Sequence, residues 1–220
     1  GERLSAGRDA GNTSPPVGTD VVISFSQIDD QPMIGNRNGW VSQFSKNLSV
    51  RLEQLSGERI RVLPSGSPAG AAIVDDRTLE RIGMAKAMVT VVSPPFAKSP
   101  ACQRQTECFY QAAQQSGIWR IENRVRLFKV VKTPVDHREF SPSLTGLFSE
   151  LLDYEFFEID NETGRLRELS EDFGEKARRQ FLERIYDLAY EVNTVLTSMK
   201  EWEAGGRVKP VSPACPKAVY

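Results

Sequence analysis

Along the chain, short apolar runs alternate with longer segments in which apolar residues recur every three or four positions. The short runs are rich in β-branched residues, which is typical of strands buried on both faces of a parallel sheet. They predict five strands, at 20–26, 59–63, 87–93, 124–132 and 154–159. The longer segments predict amphipathic helices, at 40–55, 75–82, 99–115 and 172–202. This alternation indicates a doubly wound α/β domain, with a mostly parallel five-stranded sheet and helices on both faces.

Both ends of the chain differ in composition from this alternating region. Residues 1–19 are rich in Gly, Ser, Pro and Thr with almost nothing to bury, which predicts a flexible N-terminal segment. Near the other end, Gly205 and Gly206 open a Pro-containing stretch. We therefore expect a folded domain at 20–203, followed by a linker at 204–220 that leads to a further C-terminal domain.

The overall charge is close to balanced. With 28 Lys and Arg against 29 Asp and Glu, the net charge is -1, which gives no reason to expect a nucleic acid or an anionic membrane as partner. Cys102, Cys108, Cys215 and the single His137 show neither a disulfide framework nor a metal-ligand spacing, so no metal is expected. No apolar run approaches the roughly 20 residues that span a bilayer. We expect a soluble, cytoplasmic protein.

Four blocks of sequence, in chain order, resemble a bacterial TIR (Toll/interleukin-1 receptor homology) domain. They read DVVISFSQIDD, GWVSQFSKNLSVRLEQLSGERIRV, DDRTLERIGMAKAMVTVVSPPFAKSPACQRQTECF and YEFFEIDNETGRLREL. The resemblance covers most of residues 20–202, and its most specific pieces are ISFS, GWV and VVSPPFAKS. It implies a flavodoxin-like fold with five strands.

The resemblance implies two activities. Many bacterial and plant TIR domains cleave the nicotinamide–ribose bond of NAD, whereas others are scaffolds that assemble through contacts between TIR domains. The two are linked, because active TIR domains usually oligomerise before the substrate site is complete. NAD is therefore implied as a substrate or ligand rather than a resident cofactor, and another TIR domain, of the same or a different protein, is the implied partner.

The catalytic pattern of the family reads Ser, any, Trp, Cys, any, any, Glu, and here it falls on SPACQRQ. Ser99 and Cys102 match it, while Ala101 stands at the aromatic position and Gln105 at the position of the catalytic Glu. A carboxylate stabilises the oxocarbenium-like transition state, and a neutral amide supplies no negative charge. Glu107 lies about 200° further around the helix, so it faces away. Catalysis is therefore expected to be weak or absent.

Other positions are candidates for ligand binding. Ser24, Phe25 and Ser26 end the first strand, where flavodoxin-like sheets bind ligands, and Ala101 and Cys102 neighbour Gln105. The segment 64–72, PSGSPAGAA, is predicted to be an uncharged flexible loop that suits assembly at least as well as catalysis.

Two hypotheses follow from these residues. The first is a TIR signalling or assembly module of a bacterial defence or signalling protein, with a degenerate NAD site. The alternative is an active NAD glycohydrolase, either because Gln105 is an engineered substitution or because the motif is in a shifted register.

Three further residues have competing interpretations. Asp29 and Asp30 follow the first strand, as acidic residues do in response-regulator receivers. Such receivers also need an Asp at the end of the third strand, where this chain has VVSPP, so phosphotransfer is not favoured. Trp40 could line a nucleotide cleft, but a Trp that opens an amphipathic helix is predicted to pack against its own domain.

Overall fold

The computed structural model describes residues 18–33 and 35–205. Most of the predicted N-terminal segment, most of the predicted linker and Cys215 lie outside these residues. The strands are β1 Val21–Ser26, β2 Val62–Ser67, β3 Ala87–Val92, β4 Arg120–Ile121, β5 Arg124–Val125, β6 Leu127–Val131, β7 Asp153–Glu155, β8 Phe157–Ile159 and β9 Leu166–Glu168. The α-helices are α1 Trp40–Ser56, α2 Asp76–Met84, α3 Pro94–Ala97, α4 Pro100–Gln115, α5 Pro142–Ser149 and α6 Gly174–Ala204.

The central sheet has five strands in the order β2-β1-β3-β6-β7, and every neighbouring pair is parallel. Numbered by their place in this sheet, the strands run 2-1-3-4-5, which is the flavodoxin-like order. The predicted fold class is thus confirmed. The order reverses between β1 and β3, and this is where such sheets open a crevice at the carboxyl ends of their strands.

The central strands β1, β3 and β6 are buried at every position, because helices cover both faces of the sheet. On one face, Ile23 and Phe25 pack in a cluster with apolar residues of α1 and α6. On the other face, Val22 packs in a second cluster with residues of α3, α4 and α5. Side chains of β1 therefore alternate between two separate cores, as strand geometry requires.

Strand β2 extends into the segment that the sequence predicts to be a loop. It runs to Ser67 and includes Pro64, and each of its residues pairs with β1. Proline lacks the N–H group that donates to a neighbouring strand. Because β2 is an edge strand, no further strand pairs with its outer side, and a proline nitrogen that faces this side leaves no sheet hydrogen bond unmade. The prediction of a loop over the whole of 64–72 is therefore wrong for its first half.

The predicted fifth strand is divided between two sheets. Its first half belongs to β7 at the edge of the main sheet, and its second half, β8, forms an antiparallel hairpin with β9. The turn of this hairpin contains Gly164 at a φ of 66°, a left-handed conformation that favours glycine. The short helices α3 and α5 were not predicted, because four and eight residues are too few to show a helical stripe.

Trp40 packs within its own domain, as predicted. Its ring stacks on Phe44 at 5.2 Å between centroids and meets Phe156 and Phe181 edge-on. Its indole Nε1 donates to the carbonyl oxygen of Leu169 at 2.8 Å. This aromatic cluster joins α1 and α6 to the chain that flanks the β8–β9 hairpin. Over the described ranges, the structure contains no helix with the length and apolarity to cross a membrane.

Candidate functional site

A cleft of about 270 Å³ lies beside the carboxyl end of β2, between that strand, α2 and α4. Its walls include the backbone from Leu63 to Pro68, the side of α2 that carries Thr78 and Arg81, and Gln105 of α4. The volume is large enough for part of a nucleotide, although it is below the usual range for sites that enclose a whole drug-sized ligand. We call it the Gln105 cleft.

Gln105 is held in a fixed position by two serines from the sheet. Its Oε1 accepts a hydrogen bond from the hydroxyl of Ser24 at 2.8 Å, and its Nε2 donates to Oγ of Ser67 at 3.0 Å. Only 2% of Gln105 is exposed. Both ends of the amide are therefore satisfied, as a buried polar group requires. At the position of the expected catalytic Glu, the chain places a neutral, hydrogen-bonded amide.

Ser26 adds a polar group with no bond of its own. Strand alternation puts its side chain on the same face of β1 as Ser24, one step nearer the carboxyl edge. The residue is 1% exposed, and its Oγ has no hydrogen-bond partner within the described residues. An unsatisfied buried hydroxyl costs free energy unless a water or a ligand meets it. Ser26 therefore places a buried hydroxyl on the face of β1 that carries the Gln105 network, and it does not line the cleft.

The loop that follows β2 lies against the first turn of α4 and covers it. Ser99 caps the helix by accepting from the N–H of Cys102 at 3.3 Å, and Pro100 occupies the first helical position. The N–H of Ala101 donates to the carbonyl oxygen of Ala71 at 3.2 Å. Both Ala101 and Cys102 are buried beneath this contact. A ligand reaches them only if the loop moves.

Cys102 is not poised to act as a nucleophile. Burial raises the pKa of its thiol, and hydrogen bonding to Ser99 and Ser67 offsets only part of that rise. Since the thiolate is the reactive form, a raised pKa favours the inert thiol at neutral pH. Cys102 is a small buried side chain and is not among the residues that line the Gln105 cleft.

The structure does not bring Phe25 to the cleft. The residue belongs to the cluster packed under α1 and α6, on the opposite face of the sheet from Gln105. Glu107 also turns away, as the helical register predicts, and accepts hydrogen bonds from Ser141 at 2.6 Å and Ser143 at 2.5 Å near the start of α5. Neither side chain can contribute to chemistry beside Gln105.

Of the residues that line the cleft, Gln105 alone is a predicted site position. Ser67 lies in the segment that the sequence predicts to be a loop, although it follows Ser65 at the two-residue spacing of a strand face. Asp75 and Arg81 bring charges from the start and the interior of α2, whereas segment 64–72 itself has none. The carboxylate of Asp75 caps α2 by accepting from the N–H of Thr78 at 2.9 Å and from its hydroxyl at 2.7 Å. These bonds lower the pKa of Asp75, which keeps it ionised.

A second polar cluster lies around Asp29, just beyond the end of β1. Asp29 is buried and accepts from the hydroxyl of Ser93 at 2.5 Å, while Nζ of Lys132 lies 3.4 Å from its Oδ1. Lys132 also pairs with Glu168 of β9 at 2.9 Å. Burial raises the pKa of Asp29, although Ser93 and Lys132 act in the opposite direction. This cluster ties the ends of β1, β3 and β6 to the β8–β9 hairpin.

Removing the cap of α4 should loosen the wall that carries Gln105. We expect Ser99→Ala to lower the free energy of unfolding by about 1 kcal/mol, because the N–H of Cys102 loses its acceptor. Ser49→Ala is the matched control, since Ser49 lies inside α1, where alanine is the better helix former. Urea denaturation of both variants checks this, and an equal response in the two would contradict a capping role for Ser99.

Comparison with solved structures gives distant likenesses, of which two are described here. No family model matches the chain, and no curated protein matches it. The TIR domains in the structure of the activated Roq1 resistosome, which directly recognises the pathogen effector XopQ, align with 84% of this chain and 99% of their own at 14% identity and a TM-score of 0.37. An oxidoreductase from Corynebacterium diphtheriae aligns with 82% of this chain and 97% of its own at 11% identity and a TM-score of 0.39. The order of this chain's own strands, rather than either likeness, identifies the fold.

Proposed function

We propose that this chain is a TIR signalling module of a bacterial defence or signalling protein, acting in the cytoplasm by assembly with TIR domains of its own kind or of a partner. In this proposal its NAD-cleavage site is degenerate. Two features support the TIR assignment together: the four sequence blocks that resemble such domains, and the flavodoxin-like order of the sheet.

The degenerate site is supported above all by the buried amide of Gln105 between Ser24 and Ser67. Cleavage of the nicotinamide–ribose bond develops positive charge on the sugar, and a carboxylate at this position would stabilise that charge. The Gln105 amide is neutral, and its oxygen and nitrogen are already hydrogen-bonded to two hydroxyl groups. Losing one preorganised electrostatic group of this kind lowers a rate about 10²- to 10³-fold.

The test is to incubate the chain with NAD at increasing protein concentration and to measure both nicotinamide release and assembly by light scattering. We expect the scattering mass to rise with concentration while nicotinamide stays at the level of a protein-free control. Release that grows as the protein assembles would contradict the degenerate site. A strict monomer at every concentration, alone and mixed with a TIR-containing partner, would contradict assembly.

One observation favours the second candidate, an active NAD glycohydrolase. Asp75 places an ionised carboxylate in the wall of the same cleft, although from α2 rather than from α4. Asp75→Asn separates charge from structure, because asparagine caps a helix about as well as aspartate. If NAD is cleaved with Asp75 as the charged group, this variant should lose the activity and keep its stability. With a degenerate site, both forms remain inactive.

A further inference from the structure

The β8–β9 hairpin projects from the domain, and none of the residues from Phe157 to Glu168 is buried. The chain enters and leaves it through Phe156 and Leu169, which are 0% and 2% exposed. At this base, the N–H of Leu169 donates to the carbonyl oxygen of Phe156 at 2.8 Å. A two-stranded hairpin on its own is marginally stable in water. The hairpin can therefore open locally above its anchored base while the domain stays folded.

A cleft of about 650 Å³ separates the hairpin from the first turns of α6. The polar contacts beside it come from Glu158 of β8, which accepts from Lys176 at 3.3 Å and from Gln180 at 3.1 Å. The side chain of Lys176 is 78% exposed, and ion pairs so open to water contribute little to stability. The hairpin therefore has space to move and is tied only weakly to α6.

A second carboxylate of the hairpin, that of Glu168, lies against donors at the carboxyl ends of the central strands. Its Oε1 accepts from Nζ of Lys132 at 3.0 Å and from the hydroxyl of Thr133, and its Oε2 lies 2.9 Å from the same Nζ. Lys132 and Thr133 directly follow β6. Doubly wound sheets bind their ligands at this edge. The carboxylate of Glu168 thus occupies a position that suits a ligand.

The charges around Lys132 favour the departure of Glu168 over that of Asp29. Both carboxylates share one ammonium group, and their repulsion shows in the pKa of Asp29, which Glu168 raises. The Asp29 side chain is 3% exposed and fixed by Ser93, whereas that of Glu168 is 27% exposed and belongs to the hairpin. When Glu168 leaves, Lys132 keeps its pair with Asp29 and the hydroxyl of Thr133 loses its acceptor.

We propose that residues 157–168 form a flap held closed by Glu168, and that a small carboxylic acid binds Lys132 and Thr133 when the flap opens. The acid's carboxylate accepts the hydrogen bonds that Glu168 gives up. Exchanging one carboxylate for another leaves the charge beside Asp29 unchanged, whereas a phosphate dianion would add a second negative charge there. The vacated position is the size of one side-chain carboxyl group, which specifies a small molecule.

Glu168 acts in this proposal as a tethered competitor. A ligand that binds only the open flap has an apparent Kd equal to its intrinsic Kd divided by the open fraction. Removing the competitor should therefore tighten binding without any new contact to the ligand. This effect separates competition at Lys132 from a general loosening of the hairpin.

Glutarate, whose end groups match the side chain of Glu168, is the probe, titrated into the full chain at constant ionic strength and followed by NMR. Glu168→Ala should lower its Kd at least about tenfold. Glu158→Ala is the matched control, since it removes a hairpin carboxylate of similar exposure, 29% against 27%, and leaves Glu168 in place. It should change the Kd by less than about threefold. Equal effects of the two substitutions, or no glutarate binding to Glu168→Ala, would overturn the proposal.

Thr133→Val tests the ligand's position and leaves the pair between Lys132 and Asp29 intact. Added to Glu168→Ala, it should raise the Kd for glutarate about tenfold, because a charged acceptor loses one hydroxyl donor. An unchanged Kd would place glutarate elsewhere and contradict the proposal.

Hydrogen exchange gives a readout of the flap itself. Saturating glutarate should speed amide exchange at 157–168 in the unmodified chain, because the occupant keeps Glu168 out and a detached hairpin does not retain its ladder. Exchange in β1 and β3 should not change. A ligand that bound the closed flap would slow exchange in the hairpin, so slower or unaltered exchange there would refute the opening.

Discussion

Gln105→Glu should raise the rate of nicotinamide release from NAD about 10²- to 10³-fold above that of the unmodified chain. Glutamate has nearly the same shape as glutamine, and the two serines around it suit a carboxylate. Ser24 already donates to Oε1 at 2.8 Å, and the hydroxyl of Ser67, which accepts from Nε2 at 3.0 Å, can rotate to donate. The variant would therefore place a hydrogen-bonded negative charge where the sugar cation develops.

The assay is chromatographic detection of nicotinamide under conditions in which the chain assembles. Gln115→Glu is the matched control, because it makes the same change at an exposed position at the end of α4 and should produce no gain. Gln105→Met keeps the volume without the polar groups and should also stay inactive. If folded Gln105→Glu protein releases no more nicotinamide than Gln115→Glu, the position inferred for the catalytic carboxylate is wrong.

Ala101 sets a limit on how far activity can be restored. The family pattern has an aromatic residue here, but Ala101 is 1% exposed and its N–H is bonded to Ala71 of the overlying loop. A tryptophan in this space would overpack the contact, which typically costs 1–3 kcal/mol. Ala101→Trp should therefore displace the loop rather than complete the pocket. The space around Ala101 fits a small side chain and not the aromatic residue of the family pattern. The site therefore departs from that pattern at two positions, which argues against a single engineered substitution at Gln105 in an otherwise active site.

The central strands were predictable because burial on both faces leaves a continuous apolar signal. The edge strands were harder to predict. Strand β2 contains Pro64 and Gly66, which favour a loop prediction, yet an edge strand tolerates both. The run that divides into β7 and β8 mixes Phe and Tyr with Glu155 and Glu158 throughout, so nothing in its pattern marks the change of sheet at Phe156. Local sequence thus identifies covered strands better than those whose partners lie on one side only.

Some residues of the candidate site could also be predicted from local sequence, whereas others depend on tertiary packing. Ser24 and Gln105 were predicted from a strand end and a motif, and the structure joins them. Phe25 lies between two serines on β1, so strand alternation already indicated that it faces the other core. Asp75 and Arg81 reach the cleft only because α2 packs against α4 across the cleft from β2, and that packing direction has no signature in the helix itself.

Lys132→Met should lower the free energy of unfolding by about 3–5 kcal/mol, because breaking a buried ion pair leaves an uncompensated charge behind. The side chain of Asp29 is 3% exposed, and without Lys132 the hydroxyl of Ser93 is the one side-chain partner that remains for its charge among the described residues. Methionine is similar to lysine in shape and retains contact with the ring of Trp40, so lost packing contributes little. Urea denaturation at neutral pH measures the loss.

The double variant Lys132→Met with Asp29→Asn should recover much of that stability. Asparagine can still accept from Ser93 through its carbonyl oxygen, and it carries no charge that needs Lys132. A coupling of about 0.5–3 kcal/mol between the two substitutions is the expected range for directly contacting residues. Lys176→Met is the control, because its pair with Glu158 leaves the lysine side chain 78% exposed, and only a small change is expected.

The loss in Lys132→Met should also depend on pH. Burial raises the pKa of Asp29 above its value in the unfolded chain, so its contribution to stability is greatest below the unfolded pKa and declines as pH rises through the folded pKa. Without Lys132, which lowers the folded pKa, that decline becomes larger and extends to higher pH, with Glu168 still adding repulsion. The deficit of the variant should therefore shrink on acidification. A deficit that is constant with pH and unchanged by Asp29→Asn would mean that Lys132 stabilises the fold by packing rather than by charge.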